Sequence, residues 1–305
     1  MELVGSGRPF TTRQLPDVGL SRGRLDRLLA HGGVRRILRN VYVDATVEDS
    51  LDLRVAALRL VVGANQVIVD RTAAWLLGVD CYTTAELATG PQVEICVLRG
   101  GTRSRQRVCR GGSRDLRATD VVDVDGIACT TPVRTALDLG CNLRRREAYA
   151  ALCGLARAHA VDPRLLAGQL ARFRGRRGVI QLRQLIPLVD DRLESPREAW
   201  TLLAIRDFGL PAPEPQHWIV IAGVPTYRLD FAYVAHRVCI EYDGFDAHER
   251  TPEQVQHDED RRGWLRENHW TVIVVRKGDF APARLDQWLR QVRAALVPTY
   301  SPRRW

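Results

Sequence analysis

Residues 226–244 read TYRLDFAYVAHRVCIEYDG, and the fold of the second half of the chain turns on this stretch. The spacing predicts two β-strands joined by a short turn. Leu229, Phe231 and Tyr233, then Val238, Ile240 and Tyr242, supply the apolar faces. Side chains alternate across a strand, so Asp230 lies opposite the first trio, and Glu241 and Asp243 point the same way. Neighbouring strands bring such acids together, where they repel unless something positive sits between them. A hard divalent cation, Mg²⁺ or Mn²⁺, is the expected occupant. His248 follows just after the second strand.

The flanks extend this unit. Ser195, Pro196 and Glu198 fit the N-cap, N1 and N3 positions of a helix running to Phe208. A capping box is a complete structural reason for Glu198, and a place beside the strand acids is the other reading. Pro211, Pro213 and Pro215 predict an extended link into a strand at 218–221. Glu253 to Asn268 predicts a helix with Asp258, Arg261 and Leu265 on one stripe. Asp258 and Arg261 are expected to pair with each other or to touch a DNA backbone. The strand at 270–275 is apolar on both faces, which predicts a central position. A closing helix follows at 284–296. The predicted order is helix, three strands, helix, strand, helix.

Charge separates this unit from what precedes it. The chain of 305 residues carries a formal net charge of +9. Residues 1–194 hold 30 Arg against 21 acids, which is the whole +9; residues 195–305 hold 14 Arg and one Lys against 15 acids, which is zero. A basic front suits an acidic partner, nucleic acid above all. No apolar run reaches the roughly 18 residues a membrane helix needs, and the first residues lack the layout of a signal peptide. A cytoplasmic protein without a membrane partner is expected. The seven cysteines include no C-x-x-C pair and are read as small core residues.

Within the basic front, residues 10–43 read as a small winged helix-turn-helix. Thr11 or Thr12 can cap a first helix through Leu15, and Ser21 can cap a second over 22–30. Leu25, Leu28 and Leu29 form the buried stripe of that second helix, leaving Arg22, Arg24 and Arg27 outside. Val34 to Val43 predicts a hairpin with Arg39 and Asn40 at its tip. In the DNA-binding form of this motif the second helix enters the major groove, so Arg22, Arg24, Arg27, Arg35, Arg36 and Arg39 are the candidate DNA contacts. A solvated basic helix is the alternative. Residues 50–190 alternate helices and short strands. Two arginine-rich runs stand out there. Residues 100–117 hold six arginines against Asp115, and residues 172–178 read RFRGRRG. The first is a solvated loop or part of a DNA-facing surface; the second is a basic turn.

Two resemblances follow from these blocks. GLSRGRLDRLLAHGGVRRILRNVYV (19–43), VIVDRTAAWLLGV (67–79) and GIACTTPVRTALDLG (126–140) resemble, in order, the AbiEi-type antitoxin and regulator family of bacterial toxin–antitoxin systems. That resemblance covers about residues 8–190 and implies a DNA-binding head, a middle domain and a cognate toxin as a possible partner. Where the family has Ser-His, this chain has Asp70-Arg71. SPREAW, RLDFAY, VCIEYDGFDAHE, DEDRRGWL and HWTVIVVRKGDF, covering about residues 195–282, resemble the Vsr-like branch of the PD-(D/E)XK nuclease fold. This implies Asp230 and Glu241 as ligands of Mg²⁺, with Glu198, Asp243 and His248 in support. Asp243 stands where the fold's name expects lysine; the Vsr-like branch shares that departure and relies on histidine.

A mixed α/β protein is therefore expected: a winged helix-turn-helix at 1–48, an α+β AbiEi-like middle domain at 49–192 and a restriction-endonuclease-like α/β/α domain at 193–305. The expected function is DNA binding coupled to Mg²⁺-dependent DNA cleavage. The alternative is a non-enzymatic regulator or antitoxin with an inactive nuclease-like tail.

Overall fold

The structure, a computed structural model, describes residues 7–98, 109–244 and 252–297. It is a mixed α/β protein that divides into two compact units, residues 1–189 and 190–305.

The first unit opens with β1 (Phe10–Thr11), helix α1 (Arg22–Ala30) and the hairpin of β2 (Val34–Leu38) and β3 (Val41–Asp44). The three strands form one sheet in the order β1-β3-β2. The helix expected from Thr11 is instead two short 3₁₀ turns, Thr12–Gln14 and Pro16–Val18. Pro16 lacks the N–H that would continue an α-helix, and the chain tightens there. Ser21 caps α1 by accepting from the Arg24 N–H at 3.3 Å. Phe10, Leu15, Leu25, Val34 and Tyr42 close a small core.

The rest of the unit comprises α2 (Leu51–Arg59), β4 (Val67–Ile68), α3 (Asp70–Leu76), α4 (Thr84–Thr89), β5 (Val93–Leu98), β6 (Cys109–Arg114), β7 (Val121–Val124), β8 (Ile127–Thr130), α5 (Pro132–Asn142), α6 (Arg145–His159), α7 (Pro163–Gln169) and α8 (Val179–Leu185). Its sheet runs β6-β5-β4-β8-β7. The hairpin is tied into this body. Ile37, Leu38, Val41 and Val43 share one apolar core with Leu58, Ile68, Leu76 and Ile95. At the hairpin tip the Arg39 N–H donates to the Pro91 carbonyl at 2.8 Å. Gly90, at φ 78°, passes so close that a Cβ there would lie 2.8 Å from the Leu38 carbonyl oxygen. Only glycine fits that approach.

The second unit contains α9 (Pro196–Asp207), β9 (Glu214–Ile221), β10 (Val224–Tyr233), β11 (Val238–Asp243), α10 (Pro252–Glu267), β12 (Thr271–Arg276) and α11 (Pro282–Leu296). Helices and strands follow in the expected order. The sheet order is β12-β11-β10-β9, antiparallel except for the parallel pair β11–β12. Strand β9 begins inside the proline stretch, and Pro215 is tolerated there because β9 is an edge. Strand β12 is the other edge, not central as expected. Its two apolar faces have another cause: α10 and α11 both pack on it.

Candidate functional site

In the second unit, β10 and β11 pair Phe231 with Ile240 and Ala232 with Cys239. One step further along that register, Asp230 and Glu241 meet. The backbone N–H of Tyr242 donates to Asp230 Oδ2 at 2.8 Å. Glu241, only 5% exposed, accepts from Arg261 Nη1 at 2.6 Å. Arg261, on α10, therefore supplies the positive group that the paired strand acids require. The expected pairing with Asp258 is replaced by this bond; the Asp258 side chain lies outside the described atoms.

Glu198 combines both of its readings. Its N–H donates to Ser195 Oγ at 3.1 Å, completing the N-cap of α9. Its carboxylate accepts from Ser195 Oγ at 2.8 Å, Glu194 N at 2.9 Å and Gln216 Nε2 at 2.7 Å. It also lies close enough to Asp230 to act on it electrostatically. Burial pushes the Asp230 carboxyl up to about 6; the Tyr242 N–H opposes this, and the Glu198 charge adds to it. Gln216 was not singled out by the sequence. It adopts φ 55° within β9, and among the described residues its buried Oε1 has no hydrogen-bond partner. Nothing in the local pattern signals a residue whose role depends on α9, about twenty positions earlier.

Asp243 sits at the end of β11, with Arg276 Nε at 3.9 Å. Lys277 is exposed in the turn after β12. His248 lies outside the described residues. Carboxylates from a helix and two strands are donors of the type Mg²⁺ takes. In this structure Glu198, Asp230 and Glu241 each accept hydrogen bonds within the protein. Among the described residues, no group of three or more His, Cys, Asp or Glu side chains is placed to hold a metal ion.

In the first unit, the head exposes Arg22, Arg24 and Arg27 on the outer face of α1, as expected, while Leu25 is fully buried. Arg39 is exposed at the hairpin tip. Arg35 and Arg36 are half-buried and engaged internally. Arg35 Nη2 donates to the Val47 carbonyl at 2.9 Å, and the Arg36 guanidinium lies 5.9 Å from the Tyr42 ring centre. The six candidate arginines thus separate into four free to face a partner and two that support the hairpin.

The middle of the chain contains a second charged assembly. Asp138, fully buried on α5, accepts from Arg134 Nε at 2.9 Å, Arg114 Nη1 at 2.9 Å and Arg176 Nη1 at 2.7 Å. Asp120, 4% exposed, accepts from Arg134 Nη1 at 2.9 Å and Arg172 Nη2 at 2.5 Å. Burial opposes its charge, but the bonds from Arg172 and the Arg117 N–H hold its carboxyl down to about 2. Arg114 also grips Asp70 through both terminal nitrogens, and Asn142 bonds Asp70 at 3.2 Å. Arg71 pairs with Glu86 and Glu94. The Asp70-Arg71 pair is thus fully absorbed into ion pairs. Sequence signalled the arginines as two basic runs, but gave no sign of the aspartates that gather them.

Among the described residues no helix is long and apolar enough to cross a membrane. Residues 65–188 match the AbiEi antitoxin C-terminal domain. The chain is similar to the uncharacterized protein Rv2248 of Mycobacterium tuberculosis strain H37Rv, with 33% identity over 261 residues, 84% of this chain and 90% of that protein. The uncharacterized protein MT2308 of strain CDC 1551 matches with the same figures.

Proposed function

We propose a function from one premise: this chain belongs to the family of the two mycobacterial proteins and carries an AbiEi antitoxin C-terminal domain. That domain suggests a DNA-binding regulator or antitoxin, and we assign the chain to this class. The observation that carries the reading is the outer face of α1. Three exposed arginines stand on a helix whose orientation is fixed by a buried Leu25 and a capped N-terminus. Phosphates and guanine edges are the groups such a face suits. The test is binding of the purified chain to its own upstream DNA across a salt series. Replacing Arg22, Arg24 and Arg27 by Ala should lower the log–log salt slope by about 3, near 0.9 for each lost phosphate contact. Failure to prefer that DNA over random sequence counts against a specific regulator. A cognate toxin is the expected protein partner, to be sought by co-purification with the product of a neighbouring gene.

A second reading keeps the tail as a Mg²⁺- or Mn²⁺-dependent DNA endonuclease. Its support is the element order of the second unit and the meeting of Asp230 with Glu241 near Glu198. It requires Arg261 to release Glu241. Purified chain with Mg²⁺ should then nick supercoiled plasmid, and Asp230→Ala should abolish nicking. Equal cutting by that variant sinks the reading.

A further inference from the structure

The two arginine-rich runs of the middle region converge on one cavity. It has a volume of about 590 Å³ and is lined by Arg114, Arg117, Arg134, Arg172 and Arg176, with Asp115 the one acid on its wall. Arg114 and Arg117 come from the first run and Arg172 and Arg176 from the second. Arg134 comes from α5, between them.

Five guanidinium groups on one wall repel one another. The fold gathers them by placing carboxylates behind the wall, not in the cavity: Asp120 and Asp138 bind four of the five arginines. Phe173 adds a flat backing. The Arg134 guanidinium lies 5.5 Å from its ring centre and that of Arg176 lies 4.9 Å away. The ring itself is 2% exposed, so it braces the arginines and offers no open face. The bonds behind the wall leave donors over. Among the described residues, Nη2 of Arg134 and Nε and Nη2 of Arg176 have no hydrogen-bond partner. A network built only for stability would end in neutral pairs. Here the five arginines face four acids: Asp70, Asp120 and Asp138 pair with them and do not line the cavity, which leaves Asp115 as the one acid on its wall.

Such a wall suits a ligand with several anionic oxygens. Guanidinium forks match phosphate geometry, and charge-assisted bonds of this kind are the strong ones. The volume falls in the range of small-molecule sites, roughly 300–1,000 Å³. We propose that this cavity binds a chain of phosphate groups, as inorganic polyphosphate or as the phosphates of a nucleotide. The site is separate from the α1 face and does not depend on the function proposed for it.

The test uses the full chain carrying Arg22→Ala, Arg24→Ala, Arg27→Ala and Arg39→Ala, which removes the four exposed candidate DNA contacts of the head. Titration calorimetry in low salt compares tripolyphosphate, a nucleoside triphosphate, the free nucleoside and sulfate. Tripolyphosphate and the nucleoside triphosphate should bind, with sulfate and nucleoside at least tenfold weaker. Equal affinity of the two phosphates assigns the site to the phosphate chain alone; tighter binding of the nucleoside triphosphate assigns it to nucleotides. Arg176→Gln and the exposed Arg117→Glu should each weaken binding about tenfold or more. Arg117→Glu leaves the buried network intact and serves if the other variant unfolds. No binding of tripolyphosphate, equal binding of sulfate, or full affinity in a folded Arg117→Glu variant overturns the proposal. Binding of a DNA oligonucleotide without binding of tripolyphosphate also overturns it, in favour of a DNA-facing surface.

Discussion

Asp230 should make the second unit less stable as pH rises. Its carboxyl has an ordinary value of 3.8 and stands at about 6 in the folded chain, chiefly because it is buried. Between these values the folded state holds a proton that the unfolded state has released. Stability therefore falls with rising pH in this window and stays lowered above it. At about 1.36 kcal/mol per pKa unit, the penalty grows from about 1.5 kcal/mol at pH 5 to about 3 kcal/mol at pH 7.5. Asp230→Asn keeps an acceptor for the Tyr242 N–H and removes the charge. The variant should be more stable than the parent by a margin that widens over that range. Urea unfolding followed by tryptophan fluorescence is the assay. Six of the seven tryptophans (200, 218, 264, 270, 288 and 305) belong to the second unit and only Trp75 to the first, so the signal is selective. A margin that is flat or narrows with pH, or a variant weaker than the parent at pH 7.5, refutes the reasoning.

Other expectations concern the first unit. Asp120 is shifted in the opposite direction, from 3.8 to about 2. Its contribution, about 2 kcal/mol, is present above pH 4 and lost as pH falls toward 2, and Asp120→Asn should flatten this acid limb in circular-dichroism melts. Asp138→Asn removes the buried charge shared by three arginines. It should cost about 3–5 kcal/mol by chemical denaturation; a loss under 1 kcal/mol would show that the arginines find water instead. Gly178→Ala sets a Cβ 2.0 Å from the Cys141 carbonyl oxygen at φ 83°. It should cost more than about 3 kcal/mol, read as a lowered melting temperature or loss of soluble protein.

The sequence revealed features written in short periods. The alternation of Leu229, Phe231 and Tyr233 about Asp230 located β10, and the Ser195-to-Glu198 spacing located the start of α9. It missed β6, where Gly111 and Gly112 interrupt any alternation. That strand exists because β5 offers it an edge to pair with. It also misplaced β12, since an apolar strand covered by two helices reads like a central one. The most instructive gap is at the acids themselves. Two carboxylates meeting across strands demand a positive group, and local pattern cannot say whether that group is a cation or a guanidinium. Arg261, twenty residues from Glu241 and on another element, was visible as a charge but not as its partner.

The hairpin tip held against residues 90 and 91 bears on how this chain can evolve and be cut. A head joined by a loose tether can be exchanged between proteins or made to swivel between half-sites of varied spacing. Here Leu38, Val41 and Val43 are walled in by the neighbouring sheet and helices. Cleavage near residue 48 would leave an isolated fragment with a raw apolar flank, prone to stick to its own kind. Helix α1 thus belongs to a compact unit of nearly 190 residues, with the hairpin beside it built into that unit's core. Under the proposed function, a change in how α1 meets DNA would have to come from altering that unit, and drift in Gly90 or Pro91 would be felt there through the hairpin tip.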